Sequence, residues 1–291
     1  MRRSLLFVPG NTPGLLMNSD ILGADSVIFD LEDAISPTEK DAARILVRNM
    51  LRFLGCDGCE VIVRINPIDT EDGRRDLEEI VPLRPGAILP PKVGCAQDVR
   101  LLCEHIGRVE TRCALPEGVT RLMPLIETSM GVENAMAIAT ADPRICALCL
   151  GGEDLTADLR CQRTRTGDEI FYSRTRLVMA AHAAGVEVYD TPFTDVDDLE
   201  GLAADARFAR SLGFAGKLAI SPRHVATINE VFSPSDSEMR YAHEVMEAIR
   251  EAQQQGRGVV SLRGKMIDAP VVARARQVIE QEQSILGRRE G

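Results

Sequence analysis

The chain has 291 residues, a formal net charge of -10, 45% hydrophobic residues, no Trp and three Tyr. An acidic composition with few aromatic residues argues against a nucleic-acid surface, and no apolar run reaches the roughly 20 residues that a membrane-spanning helix needs. The first apolar segment, 4–9, is too short for the core of a secretion signal, so we expect a cytoplasmic protein with no nucleic-acid or membrane partner.

Eight short apolar runs alternate with helical patterns along the first 230 residues. The predicted strands occupy 4–9, 26–31, 60–66, 87–92, 121–127, 146–152, 186–191 and 217–222. Continuous apolar runs are typical of parallel strands buried on both faces. Eight strand-then-helix units of roughly 30 residues each predict an α/β fold, a (β/α)8 TIM barrel, over residues 1–230. An open doubly wound sheet is the alternative, but no G-x-G-x-x-G motif follows the first strand.

The pattern changes in the last segment, 231–291. Ser235 and Glu238 form a capping-box motif that predicts the start of a helix. A final helix is predicted to begin at Pro270, with Ala269 as its cap, directly after the motif G-K-M-I-D. We expect a helical extension of the barrel rather than an independent domain.

Charged residues follow the predicted strands at their carboxyl ends, where TIM barrels place their chemistry. They are Glu32, Asp33, Arg64, Lys92, Glu127 and Asp154. Charged groups that converge on one rim cost free energy unless they pair or bind a ligand. The sequence therefore predicts a polar functional site at this end of the barrel.

Two of these acids, Glu127 and Asp154, leave adjacent predicted strands. Two carboxylates completed by water are ligands that Mg²⁺ accepts. The alternative is that each is an exposed loop or cap carboxylate, or pairs with an Arg. Spacing alone leaves both interpretations open.

Arg64 lies at the end of an apolar strand and must meet an anion there. Its planar fork suits a substrate carboxylate, whereas a structural ion pair with Glu32 or Asp33 is the alternative. Lys92 either contributes positive potential to the site or forms a salt bridge within the rim.

Five segments carry a resemblance to a known family. They read R-R-S-L-L-F-V-P-G-N, G-A-D-S-V-I-F-D-L-E-D-A-I-S-P-T-E-K-D-A-A-R, V-I-V-R-I-N-P-I-D-T, P-L-I-E-T-S-M-G-V-E-N-A and G-V-V-S-L-R-G-K-M-I-D-A-P. Over nearly its whole length the chain resembles the citrate lyase beta subunits, within the wider family of citrate lyases and malyl-CoA lyases. It departs from them at S-P-R-H, 221–224, where N-P-R-Q or H-P-x-Q is more usual.

The resemblance implies a Mg²⁺-dependent carbon–carbon lyase. Such an enzyme cleaves a citryl thioester of CoA or an acyl carrier protein into oxaloacetate and an acetyl thioester by retro-Claisen chemistry. Other citrate lyase subunits are implied as partners, in a homotrimer or hexamer. One alternative is a stand-alone lyase for malyl-CoA, citramalyl-CoA or β-methylmalyl-CoA, or a malate-synthase-like enzyme. Another is a catalytically silent structural subunit, which would gain nothing from these charged residues.

The resemblance also implies roles for the rim residues. Glu127 and Asp154 would hold Mg²⁺, and Arg64 would bind the keto-acid carboxylate. Independently of the resemblance, Glu127 and Lys92 are candidates for further substrate contacts. Glu32 and Asp33 are expected to accept hydrogen bonds from water on the metal. Glu32, or such a water, is the candidate general base.

Asp268, in the G-K-M-I-D-A-P motif, is the candidate acid that protonates the acetyl enolate. The resemblance implies a lid loop whose aspartate often reaches the site of a neighbouring subunit. Met266 and Ile267 are expected to cover the thioester and raise the pKa of the acid by desolvation. The alternative is an acid that stabilises the N-terminus of the last helix.

Overall fold

Parallel strands form the centre of the N-terminal unit in the computed structural model, which describes residues 2–53, 58–254 and 260–289. The eight strands found there are β1 (Ser4–Pro9), β2 (Ser26–Asp30), β3 (Glu60–Arg64), β4 (Ala87–Leu89), β5 (Leu125–Ile126), β6 (Ala147–Leu150), β7 (Glu187–Asp190) and β8 (Gly216–Ala219). Their order in the sheet is β4-β3-β2-β1-β8-β7-β6-β5. Leu122 bridges to Ile88 of β4 and to Ile145, which joins the two edges of the sheet. The predicted (β/α)8 barrel is confirmed.

Helices follow the strands along the chain. They are α1 (Pro13–Met17), α2 (Lys40–Phe53), α3 (Glu71–Ile80), α4 (Ala96–Arg112), α5 (Ser129–Glu133), α6 (Ala135–Ala139), α7 (Gly152–Asp158), α8 (Phe171–Ala184), α9 (Leu199–Leu212) and α10 (Pro222–Phe232). The helix α4 shows why they pack on the sheet: Val99, Leu102, Ile106 and Val109 recur every three or four residues and are buried. None of the described helices is long and apolar enough to cross a membrane.

The interior of the barrel is filled by one side chain or more from each strand. The buried members of this cluster are Leu5, Ile28, Ile62, Ala87, Leu89, Met123, Leu125, Ala147, Cys149, Tyr189 and Leu218. Because successive side chains of a strand point to opposite faces, the neighbours of these residues face the helices. The barrel is thus a packed core whose polar groups are confined to its ends and its outer face.

Four charged side chains are buried on the outer face of β7 and β8. Arg174 of α8 donates to both carboxylate oxygens of Asp190 at 2.9 Å and to Asp205 of α9 at 2.7 Å. The ammonium of Lys217 lies 2.5 Å from Asp190 and 2.6 Å from Asp205. Asp190 and Lys217 are register partners on neighbouring strands. The cluster therefore ties two helices to the sheet directly below the rim.

Removing one cation from this cluster is expected to destabilise the barrel. In Lys217→Met the carboxylates of Asp190 and Asp205 would stay buried with only Arg174 to balance them, at a cost of about 3–5 kcal/mol. Urea unfolding of the variant measures this loss. Arg108→Met is the matched control, because its ion pair with Glu104 is exposed and worth at most about 1 kcal/mol. Equal stability of the two variants would contradict the expectation.

Contacts divide the described chain into two compact units, Arg2–Glu230 and Val231–Gly291. The second contains α11 (Asp236–Gln254), the antiparallel strands β9 (Val260–Leu262) and β10 (Lys265–Ile267), and α12 (Ala269–Arg289). The predicted capping box is present: Glu238 N–H donates to Ser235 Oγ at 3.2 Å, and Ser235 N–H donates to Glu238 Oε2 at 2.7 Å. The small core of the unit includes Ala242, Val245, Ile267 and Ala275.

The last helix begins one residue earlier than predicted. It starts at Ala269, and Asp268 is its cap, because Asp268 Oδ1 accepts the Val271 N–H at 3.1 Å. Proline is tolerated at the second helical position as well, since the N–H groups of the first turn have no partner within the helix. The expectation that Ala269 is the cap was wrong.

Met266 and Ile267, which precede Asp268, were both expected to cover a thioester, but the structure exposes only one of them. Ile267 is only 7% exposed and packs in the core of its own unit, whereas Met266 is 69% exposed. In a strand, neighbouring side chains point to opposite faces, so only one of the two can be presented outward. Of the two residues, only Met266 is exposed enough to contact a thioester.

Candidate active site

A cavity of about 300 Å³ opens at the carboxyl ends of the barrel strands. Its charged lining residues are Asp30, Asp33, Arg64, Glu127, Glu153 and Asp154, and its other lining residues include Phe7, Leu125, Thr191, Pro192, Leu218 and Ile220. Five of these side chains are carboxylates and one is a guanidinium. A concave site with this balance attracts a cation.

Glu127 follows β5 and is 1% exposed. Its Oε1 accepts the Lys92 N–H at 2.7 Å. Burial, together with the nearby negative charges of Asp154 and Glu32, raises the pKa of Glu127 to about 8. A carboxylate buried beside another acid is stabilised by a bound cation, so Glu127 fits the role of a metal ligand.

Gly151 makes room for this carboxylate. A Cβ added at Gly151 would lie 2.7 Å from both Cβ and Oε2 of Glu127. Such a distance is shorter than van der Waals contact, so a larger residue would displace Glu127. The glycine after β6 is therefore part of the site.

Asp154 lies in the first turn of α7, at the end of β6, and lines the same cavity. Among the residues that the structure describes, no group of three or more His, Cys, Asp or Glu side chains is arranged to hold a metal ion. A zinc site would need three or four such ligands, whereas Mg²⁺ binds through one or two carboxylates and keeps several waters. The donor set of Glu127 and Asp154 therefore fits Mg²⁺.

Arg64 ends β3 and lines the cavity. Its Nε and Nη2 donate to the two carboxylate oxygens of Asp30 at 2.7 and 2.6 Å, and its Nη1 lies 3.0 Å from Glu32 Oε2. The ring of Phe7 lies below it, with 4.8 Å from the guanidinium carbon to the ring centroid. The ion pair between Arg64 and Glu32, which the sequence left open as an alternative, is present. One edge of the Arg64 guanidinium, Nε and Nη2, is already bound to Asp30.

Glu32 and Lys92 contact each other at the rim. Lys92 Nζ lies 2.8 Å from Glu32 Oε1, and Glu32 is 3% exposed. Burial raises the pKa of Glu32, although Arg64 and Lys92 oppose the shift. Asp33 is 52% exposed, lines the cavity, and lies farther from the cations, at 3.5 Å from Arg64 and 3.9 Å from Lys92.

Three residues of the site were not predicted from the sequence: Asp30, Gly151 and Thr191. Asp30 had a detectable signal, since it belongs to the D-L-E-D motif and precedes Glu32 by two residues. It is also the register partner of Arg64 on the neighbouring strand. Gly151 and Thr191 act through close approach across strands, for which a single sequence holds no signal.

Asp268 belongs to the C-terminal unit, where its side chain is exposed and caps α12. The sequence alternative of an acid at a helix N-terminus is therefore present. Capping engages only one of the two carboxylate oxygens, Oδ1, with one N–H.

Comparisons with known proteins show the family of this chain. Residues 3–222 match the model of the HpcH/HpaI aldolase/citrate lyase family. The chain is 40% identical to "Citrate lyase subunit beta" of Leuconostoc mesenteroides subsp. cremoris, over 96% of this chain and 93% of the relative. It is 30% identical to "Citramalyl-CoA lyase, mitochondrial" of Mus musculus, over 98% and 87% of the two chains.

A solved structure of a related protein is similar to this chain over nearly its whole length. The protein CitE from Mycobacterium tuberculosis, in complex with magnesium, acetoacetate and coenzyme A, superimposes with a TM-score of 0.77 at 28% identity. The match covers 96% of this chain and 97% of the other. The chain belongs to the HpcH/HpaI aldolase/citrate lyase family.

Proposed function

We propose that this protein is a Mg²⁺-dependent carbon–carbon lyase that cleaves a citryl thioester into oxaloacetate and an acetyl thioester. The observation that carries the proposal is the pairing of two cavity carboxylates, Glu127 and Asp154, with one cavity guanidinium, Arg64. This set suits a metal ion together with an anionic substrate. The names of the citrate lyase relative and of the magnesium-bound solved structure support it.

Glu127 and Asp154 are the residues that would hold Mg²⁺. When bound, the ion would supply a Lewis acid and a template for the oxygens of the substrate. Glu127 is held for this role by the Lys92 N–H and by the space at Gly151. Asp154 is presented by the first turn of α7.

Cleavage breaks the bond between the carbinol carbon and the α-carbon of the thioester. The hydroxyl loses its proton, its oxygen becomes the ketone of oxaloacetate, and the electron pair of the broken bond stays on the α-carbon as an enolate. We place Arg64 against a carboxylate of the oxaloacetate half, which positions the bond before charge develops. Asp30 and Glu32 fix the guanidinium for that task.

The hydroxyl proton needs an acceptor that faces the cavity. Asp33 lines the cavity, whereas Glu32 contacts Arg64 and Lys92 and is not among the described lining residues. We therefore assign the base to Asp33, and to Glu32 the orientation of the two cations. Asp268 is assigned the proton that converts the enolate into the acetyl group.

Dependence on the metal tests the proposal. Citryl-CoA cleavage is expected to stop in EDTA and to return when Mg²⁺ is added in excess. Unfolding temperature measured in parallel should rise with Mg²⁺, because a ligand that binds only the folded state stabilises it. Full cleavage in EDTA would contradict the proposed dependence on Mg²⁺.

Replacing Arg64 by Lys is expected to lower kcat/KM for citryl-CoA by about 100-fold or more, since a point charge cannot hold Asp30 and a substrate carboxylate together. Steady-state kinetics at saturating Mg²⁺ measures the effect. If Arg64→Lys keeps the wild-type kcat/KM, Arg64 serves only the fold.

A second candidate function is cleavage of a related CoA thioester, such as citramalyl-CoA or malyl-CoA. The similarity to the mouse citramalyl-CoA lyase favours it, as does S-P-R-H at 221–224. The same residues would serve, because only the group on the carbinol carbon differs.

We further propose that the protein works in the cytoplasm, on a CoA or acyl-carrier thioester, with other citrate lyase subunits, and as a homotrimer or hexamer. Sedimentation velocity is expected to give a particle three or six times the mass of the chain. A stable, active monomer would contradict this assembly.

A further inference from the structure

We propose that Thr191 is a positioning residue for the metal site: its hydroxyl fixes the N-terminus of α7 and thereby the place of Asp154. This inference rests on the Mg²⁺ site proposed above. Thr191 directly follows β7, and Glu127 directly follows β5, which lies two strands away in the sheet.

The contact between the two segments is short and enclosed. The Gly152 N–H donates to Thr191 Oγ1 at 2.8 Å, and Thr191 is 0% exposed. A Cβ added at Gly152 would lie 2.7 Å from Thr191 Oγ1 and 3.2 Å from its Cβ. The glycine therefore lies in close contact with the threonine, and a larger residue at position 152 would displace the Thr191 side chain.

The helix needs this acceptor because it has no side-chain cap of its own. Its first N–H groups have no partner within the helix, and the cap position is Gly151, which offers no side chain. Thr191 supplies the missing oxygen from a neighbouring strand. A buried N–H without a partner would cost free energy, so loss of the hydroxyl favours a shift of the first turn. Asp154 lies in that turn.

Thr191 is in turn held by the buried ion cluster below the rim. Its neighbour Asp190 accepts two hydrogen bonds from Arg174 and one from Lys217. These hydrogen bonds hold the Asp190 side chain against α8 and β8, and they anchor the backbone that carries Thr191. The cluster, Thr191 and Gly152 form one continuous chain of contacts that ends at the metal site.

The test compares Thr191→Val with Thr191→Ser. Valine keeps the shape and removes the acceptor, whereas serine keeps the acceptor. Binding of Mn²⁺, measured by loss of the free-ion paramagnetic resonance signal, is expected to weaken by about 10- to 100-fold in Thr191→Val, because groups that orient a metal ligand have effects of this size. Thr191→Ser is expected to retain the wild-type affinity.

Activity assays separate this effect from a general loss of structure. In Thr191→Val the Mg²⁺ concentration for half-maximal activity should rise, while kcat at saturating Mg²⁺ recovers. Unchanged Mn²⁺ affinity in a folded Thr191→Val would overturn the inference, and so would loss of the fold, which would make Thr191 a residue of the barrel core. Absence of Mn²⁺ binding by the wild-type protein would instead overturn the proposed function.

Discussion

Glu127→Gln and Asp154→Asn are each expected to lower kcat/KM for citryl-CoA by about 1,000-fold or more, since each removes one of two protein ligands of an ion that contributes several kcal/mol to the transition state. The amides keep the shape of the carboxylates, so the barrel should remain folded. Burial disfavours the charged form of Glu127. Without metal, Glu127→Gln should therefore unfold at the wild-type temperature or above it, and the stabilisation by Mg²⁺ should disappear.

Glu153→Gln is the matched control for these variants. Glu153 precedes Asp154, lines the same cavity and is 58% exposed, but it is not assigned to the metal. Its replacement removes the same charge from the cavity, and we expect activity close to wild type. Equal losses in Glu153→Gln and Asp154→Asn would mean that the total charge of the cavity matters and the ligand positions do not.

Asp268→Asn is expected to lower kcat by about 100-fold or more, the usual contribution of a general acid. Asp268 also caps α12. Asparagine caps a helix as well as aspartate does, so the free energy of unfolding should not change. The substitution therefore separates the proposed acid role of Asp268 from its observed role as the cap of α12.

Two measurements decide between the roles of Asp268. Thioester binding should persist in Asp268→Asn, while exchange of the methyl protons of acetyl-CoA with solvent deuterium should be abolished. Asp268→Ala should lose both turnover and about 1 kcal/mol of stability, because it removes the cap as well. Wild-type turnover in Asp268→Asn would leave only the capping role.

The barrel could be predicted because its signal is local. Each strand is a short buried run, and charged residues at the ends of several runs mark the rim, as Arg64 and Glu127 do. What could not be predicted depends on contacts between strands. The partner of Arg64 is Asp30 because β2 and β3 pair in one register, and a single sequence does not state that register.

Close approach across the barrel was equally hidden from the sequence. Gly151 accommodates Glu127, and Gly152 meets Thr191, although neither pair is close along the chain. The cap of α12 was missed for a different reason: proline was assumed to occupy the first helical position, whereas it occupies the second. In each case the contacts are set by the folded structure, and the local sequence alone is compatible with more than one arrangement.

The most direct test of the central claim is the choice of substrate by the purified wild-type protein with Mg²⁺. Citryl-CoA and malyl-CoA are supplied separately, and the keto acid released is measured in a coupled assay, as oxaloacetate from the first and glyoxylate from the second. We predict Mg²⁺-dependent release of oxaloacetate with the higher kcat/KM for citryl-CoA. Release of glyoxylate from malyl-CoA with no oxaloacetate from citryl-CoA would contradict the account.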